Sequence, residues 1–280
     1  MKTVIKNIAL ITLFVFASCE EVIDVDVQNG KTRLVIEASL DWEKGTTGSN
    51  QTIKLSTSTP YFDTTTNTAV NGASVIVTND ADGAEFIFAD QNNGAYITNA
   101  FIPVIGDSYT LEVVYNGERY LGKETLASVP DILETYQTAK EGFDADLLEV
   151  NLRFIDPEEE KNYYLFKFLK QGDVLPNLDD FSDEFVNGNE VNWWYEKEDD
   201  EETKEKPFAS GDIVDIELYS ISESFYNYVR ILIEQAEGVG LFSATPVALK
   251  GNCINLDTPR NYAHGYFRVT QVEKLSYTFK

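Results

Sequence analysis

Histidine and cysteine are nearly missing from this sequence, and each scarcity excludes a chemistry. One His and two Cys in 280 residues cannot build the nitrogen- and sulfur-rich ligand sets that hold zinc. Two cysteines also exclude a disulfide-stapled scaffold. Positive charge is scarce too: 22 Lys and Arg stand against 47 Asp and Glu, a formal charge of −25. Such a surface repels phosphate backbones, so no nucleic-acid partner is expected. No Gly-rich loop followed by lysine is present to cradle a nucleotide. Beyond residue 19 no apolar run approaches the ~20 residues of a membrane-spanning helix. No cofactor is expected.

What the first residues do contain is a secretory signal, residues 1–18. Lys2 and Lys6 supply positive charge, and the apolar run from Ile8 to Phe16 is too short to span a bilayer. Ala17 and Ser18 are small, as a signal peptidase requires, and Cys19 follows them. The arrangement resembles a lipobox, in which the cysteine thiol carries diacylglycerol; Phe16 departs from the usual Leu. Two or more acyl chains, at about 0.8 kcal/mol per buried methylene, hold a protein stably on a membrane where one does not. Lipidation at Cys19 is therefore expected, with cleavage to a soluble secreted form as the alternative. Glu20 and Glu21 resemble the acidic export tag of surface-exposed lipoproteins in Bacteroidota-type bacteria. The expected location is the outer membrane, surface-exposed, with its periplasmic face as the alternative. Residues 19–32 are then an anchor followed by a tether or a first strand, since Ile23, Val25 and Val27 alternate with polar residues. As a loose tether, residues 20–32 would reach about 40 Å.

The body reads as mainly β. Residues 33–130 repeat short apolar-alternating runs separated by turn residues, as in Leu34-Val35-Ile36-Glu37-Ala38 and Thr52-Ile53-Lys54-Leu55-Ser56. Asp82-Gly83 and Asn116-Gly117 each sit between two such runs, the pattern of a hairpin whose turn needs positive φ. Six or seven strands at this spacing predict an N-terminal β-sandwich of immunoglobulin-like or transthyretin-like size. Pro130 marks a boundary, and residues 131–280 predict a second β-rich domain. Strands are expected over 132–137, 147–155, 162–169 and 213–219, loop over 170–212, and a long strand or hairpin over 266–279. One amphipathic helix is expected over about 222–237. Phe225, Tyr228, Val229, Leu232, Ile233 and Ala236 share a face there, with Ser220 and Glu223 as capping box and Gly238 as stop.

Candidate chemistry is thin. Cys253 has no partner within the chain if Cys19 is lipidated, and no motif joins it to His264 as nucleophile and base. Asp80, Asp82 and Glu85, and separately Asp179, Asp180 and Asp183, lack the full spacing of a calcium loop, and no metal site is expected. A glycosidase needs only two carboxylates, so the abundance of acids is no evidence for one. The best ligand contacts are Trp193, Trp194 and Tyr195, whose rings can stack on a sugar or another ring. If that stretch is a strand, alternate residues instead face core and edge.

Several landmarks occur in one order: Leu34-Val35-Ile36-Glu37-Ala38, Ile53-Lys54-Leu55-Ser56 with Tyr61-Phe62, Val70-Asn71-Gly72-Ala73-Ser74-Val75, Asn93-Gly94-Ala95-Tyr96 and Gly106-Asp107-Ser108-Tyr109-Thr110-Leu111. Asp156-Pro157 with Asn162-Tyr163-Tyr164 and Gly265-Tyr266-Phe267 complete the series. The pattern is similar to an uncharacterised Bacteroidota lipoprotein family, domain of unknown function 4249, over nearly the whole mature chain. The resemblance implies no catalytic motif. It implies an accessory role beside a TonB-dependent outer-membrane β-barrel transporter, in the binding or uptake of a small-molecule or glycan nutrient. A surface adhesion or structural β-sandwich is the alternative, and a hydrolase a third. Fatty-acid labelling of growing cells tests the anchor: the wild type takes up label and sediments with membranes, whereas Cys19→Ser does neither. An unlabelled wild type would remove the lipid from the account.

Overall fold

The computed structural model describes residues 30–60, 63–158, 160–199, 206–237 and 248–280. Cys19 and its signal, the run with Ile23, Val25 and Val27, the pair Tyr61-Phe62, residues 200–205 of the acidic stretch and Gly238 lie outside the described residues. Residues Thr32–Thr59 and Thr66–Lys280 form one compact unit, described here. The described residues 30, 31, 60 and 63–65 belong to a separate unit. In the latter, Asp63 accepts hydrogen bonds from the Thr65 amide and hydroxyl, both 3.0 Å.

The fold is mainly β, as the alternation predicts, with three sheets and one helix among the described residues. The largest sheet runs β12 (Asn177–Ser182), β11 (Tyr163–Lys170), β14 (Ile213–Ser220), β16 (His264–Thr278), β1 (Leu34–Glu43), β2 (Gln51–Thr57), β6 (Ala95–Thr98) and β5 (Ala89–Asp90). A five-stranded sheet runs β15 (Ile254–Asn255), β8 (Glu118–Thr125), β7 (Ser108–Tyr115), β3 (Ser74–Asn79) and β4 (Glu85–Ile87). The third runs β13 (Glu190–Glu196), β10 (Glu149–Ile155) and β9 (Ile132–Thr138).

Period-two alternation places the cores. In β1, Leu34, Ile36, Ala38 and Leu40 are buried while Glu37 and Ser39 face outward. They meet Val75 and Val77 of β3 and Tyr109, Leu111 and Val113 of β7 across a sandwich. A second core forms where Tyr164, Phe166 and Phe168 of β11 and Val214, Ile216 and Leu218 of β14 face Val150, Leu152 and Phe154 of β10. The helix α1 (Glu223–Glu237) covers the other side of the large sheet, where Phe225 and Val229 pack with Tyr163, Tyr219, Tyr266 and Val272.

Strand β16 links the two cores. Its first half pairs in parallel with β1, from Val35↔His264 to Glu43↔Val272. Its second half pairs antiparallel with β14, from Tyr219↔Val272 to Ile213↔Thr278. Residues from both sides of the boundary expected at Pro130 thus share one sheet, and the first core includes Cys253, Ala263, Phe267 and Val269. Where β16 has core below and α1 above, both its faces are buried, from Val269 to Val272; beyond, burial alternates again. Arg268 on the helix side forms a bidentate pair with Asp41, Nε donating to one carboxylate oxygen at 3.2 Å and Nη2 to the other at 2.9 Å, and its guanidinium lies over the rings of Tyr219 and Phe225.

Local signals fare unevenly. Asn116 and Gly117 both take positive φ (51° and 79°), making the tight β7–β8 turn that the dipeptide predicts. The Asp82-Gly83 hairpin is wider: Gly83 donates to the Asn79 carbonyl at 2.9 Å, and Asn79 donates to that of Ala84. The helix cap is Ser222, not Ser220. The Ser222 hydroxyl accepts from the Phe225 amide at 3.1 Å, while the Ser220 carbonyl accepts from Thr270 as part of the sheet. Residues 170–212, expected as loop, contain β12 and β13. Both are edge strands, where charged and polar residues are tolerated because one side meets solvent, and this hides their periodicity.

Gly265 takes φ +82°, and a Cβ there would fall onto the Ile36 carbonyl oxygen of β1. Gly265→Ala is therefore expected to destabilise the unit by about 3 kcal/mol through strain and lost pairing. Urea denaturation measures this; a loss below about 1 kcal/mol would contradict so close an approach.

Candidate functional site

The edges of β12 and β13 leave a cleft of about 500 Å³ on the open side of the second sandwich, lined by Phe143, Asn177, Asp179, Asn192, Trp193, Trp194, Tyr195, Glu196 and Glu198. All three aromatic residues singled out in the sequence border it, but in two roles. Because strand side chains alternate, Trp193 and Tyr195 turn toward the core. Trp193 stacks flat on Phe166 (4.7 Å, 2°) and Tyr195 on Phe168 (4.8 Å, 24°). Trp194 turns the other way and meets Phe143 edge to face, at 4.9 Å and 84°. Two nearly perpendicular aromatic surfaces thus form a corner at the cleft.

Phe143 is 89% exposed, and its place is set by the backbone around it. Glu149 of β10 and Glu196 of β13 are direct cross-strand partners, a pairing that like charges disfavour. The loop before β10 offsets this by pointing successive amides at them. Glu149, fully buried, accepts from Lys140 (3.0 Å), Glu141 (2.8 Å) and Gly142 (2.6 Å), and Glu196 accepts from Phe143 (3.0 Å). A Cβ on Gly142 would fall on both carboxylates, so any larger residue there would have to push the two glutamate side chains aside. Phe143 is therefore presented to Trp194 by two acids beneath its own loop.

Polar groups are held in a similar way. Asn192 accepts from the Tyr136 hydroxyl at 3.2 Å and donates to Asn151 at 3.4 Å. The Trp193 indole nitrogen lies 3.4 Å from Asp179. Asp180, one residue on, interacts instead with Tyr226 of α1, and burial pushes its carboxyl above the usual range. Lys197 does not line the cleft; its side chain is 1% exposed and its ammonium meets Asp173.

Sequence reasoning missed Phe143, Asn177, Asn192, Glu196 and Glu198. A lone aromatic after glycine in an acidic loop was the available signal for Phe143. The others lie near one another in sequence, but β12 pairs with β11 in the large sheet and β13 with β10 in the small one, and only the packing of those two sheets forms the cleft between them. The remaining sequence candidates have structural duties. Asp80 binds Lys123 at 2.8 Å and the Thr110 hydroxyl, which hold its carboxyl below the usual range although burial opposes them. Asp82 caps its turn at the Ala84 amide (2.8 Å), and Asp183 accepts from the Asn162 amide (2.8 Å). Cys253 is buried against Phe267, and burial pushes its thiol up to about 12. The His264 ring stands edge-on to Tyr262.

Buried carboxylates elsewhere do not converge on one cavity. Burial pushes Glu124 above the usual range while Tyr266 (2.8 Å) and Asn252 (3.3 Å) donate to it. Asp156 accepts from Tyr164 (2.6 Å) and Gly188 (3.0 Å). Among the described residues no group of three His, Cys, Asp or Glu is placed to hold a metal, and no helix is long and apolar enough to cross a membrane.

These features define a mainly β protein of packed sheets with an aromatic-lined edge cleft. Residues 20–276 match the family described as Domain of unknown function (DUF4249), and the chain belongs to that family. No curated protein sequence matches it. Among solved structures, a two-domain fibronectin type-III segment of chicken tenascin is similar at 12% identity and TM-score 0.21, over 60% of this chain and 83% of that one. A DUF4785 family protein of Legionella pneumophila is similar at 12% identity and TM-score 0.26, over 69% of this chain and 54% of its own. A cytokine receptor complex contains a chain similar at 7% identity and TM-score 0.25, over 69% and 86%. Likenesses this loose leave the fold to rest on the sheets themselves.

Glu149→Gln places an amide group among three N–H donors. It is expected to cost about 2 kcal/mol, speed amide exchange at residues 140–144 and shift tryptophan emission to the red as Phe143 leaves Trp194. Unchanged exchange in that loop would show that the carboxylate does not hold it.

Proposed function

We propose that the protein is a lipid-anchored, non-catalytic binding protein of the outer membrane, which takes a small molecule or glycan into the β12–β13 cleft and assists a TonB-dependent transporter. The observation that carries this reading is the cleft. It presents the corner of Trp194 and Phe143, with Asn177, Asn192 and Asp179 as polar groups, in the proportion of apolar wall to few polar contacts common in ligand sites. The lipobox-like segment ending at Cys19 and the family resemblance support the location and the partner. Catalysis finds little support, because the buried carboxylates Glu124, Glu149 and Asp156 are each engaged by their own donors in separate places.

A second reading, a surface or adhesion module, draws on the apolar side chains that the first sandwich exposes: Ile87 (68%), Ile102 (61%), Val104 (42%) and Ile105 (43%). A mild-detergent pull-down of the full-length protein from its own outer membrane separates the two. A stoichiometric β-barrel transporter is the expected partner. Its absence, under conditions that keep other membrane complexes intact, would move the adhesion reading to first place.

A further inference from the structure

Resting on the capture reading above, we infer that the β12–β13 cleft selects small organic cations, with an alkylammonium group seated at the Trp194–Phe143 corner. The carboxylates Glu196 and Glu198 line the cleft, with Asp179 beside the Trp193 indole. No lysine or arginine lines it among the described residues. Lys197, adjacent in sequence, does not line the cleft; its side chain is buried and its ammonium meets Asp173 on the β11–β12 turn. The described lining is thus acidic, and the chain as a whole carries a formal charge of −25.

The aromatic groups point the same way. Ring faces carry negative quadrupole potential, and two near-perpendicular rings surround a cation from two sides. Trp194 and Phe143 stand at 84°, whereas Trp193 has one face already covered by Phe166. An anion is repelled by the carboxylates. A neutral sugar can stack on one ring and hydrogen-bond to Asn177 or Asn192, but it gains nothing from the net charge. An alkylammonium group uses both the rings and the charge.

The discriminating experiment compares choline with 3,3-dimethylbutan-1-ol, which has the same shape without the charge, and with cellobiose as a neutral glycan. Binding to the full-length protein in detergent is followed by tryptophan fluorescence and calorimetry. Choline is expected to bind roughly tenfold more tightly than its neutral counterpart. That preference should shrink as salt rises from about 0.05 to about 0.5 M, because screening shortens the reach of the carboxylates. Trp194→Ala is expected to lose roughly tenfold in choline affinity, Trp194→Phe, which keeps a ring face, much less, and Glu198→Gln several-fold. Equal binding of choline and the alcohol overturns the inference, and so does choline binding that Trp194→Ala leaves intact. Cellobiose bound through Trp194 in place of choline overturns it while leaving the capture reading standing. If none of the three probes binds, the inference falls, and the pull-down alone then decides the capture reading.

Discussion

Strand β16 is hydrogen-bonded along its first half to β1 and along its second half to β14, on opposite edges. That staggered pairing lets one strand contribute Phe267 and Val269 to the first core and Leu275 and Tyr277 to the second. The parallel ladder with β1 joins residues more than two hundred positions apart, so it forms only after the intervening chain has folded back. Close approach enforces it: Gly265 sits against the Ile36 carbonyl, and the Asn252 side chain pairs with the Phe267 backbone through both its amide atoms (2.7 and 2.9 Å). The helix can cover the large sheet, and β12 can become its edge, only because this seam fixes β14 and β11 next to β16.

The molecule handles its surplus of acid in two ways. Inside, each carboxylate is met by local donors, as Glu149 is by three successive amides and Asp156 by Tyr164 and Gly188. Those groups are structural: they hold loops to strands at the cost of burying charge. At the β12–β13 cleft Glu196 is also held by a backbone amide, that of Phe143, but it stands with Asp179 and Glu198 beside aromatic faces, with no lysine or arginine in the lining among the described residues. The neighbouring rings, more than the number of acids, set the cleft apart from the buried carboxylates named above.

Much of the β architecture was legible in the residues. Strands β1, β7, β10 and β11 follow from alternation, the β7–β8 turn from Asn116-Gly117, and α1 from its 3.6-residue apolar period. The edge strands β12 and β13 were not, since Asp179, Asp180 and Asn192 read as loop when one side of a strand faces solvent. The cap moved from Ser220 to Ser222 because Ser220 is claimed by the sheet through Thr270.

The site divides along the same line. Adjacent aromatics at Trp193, Trp194 and Tyr195 could be flagged from the sequence, and period two said that they would face opposite ways if they formed a strand. Which of them faces the cleft, and what stands opposite it, was settled by β12, by the amide-lined loop under Phe143 and by the pairing of Glu149 with Glu196. By itself the sequence determined charge, strand-forming pattern and turn chemistry, all of which depend on near neighbours along the chain. Tertiary structure alone decided the parallel β1–β16 seam, the edge positions of β12 and β13 and the Trp194–Phe143 corner, because each depends on which distant segments meet.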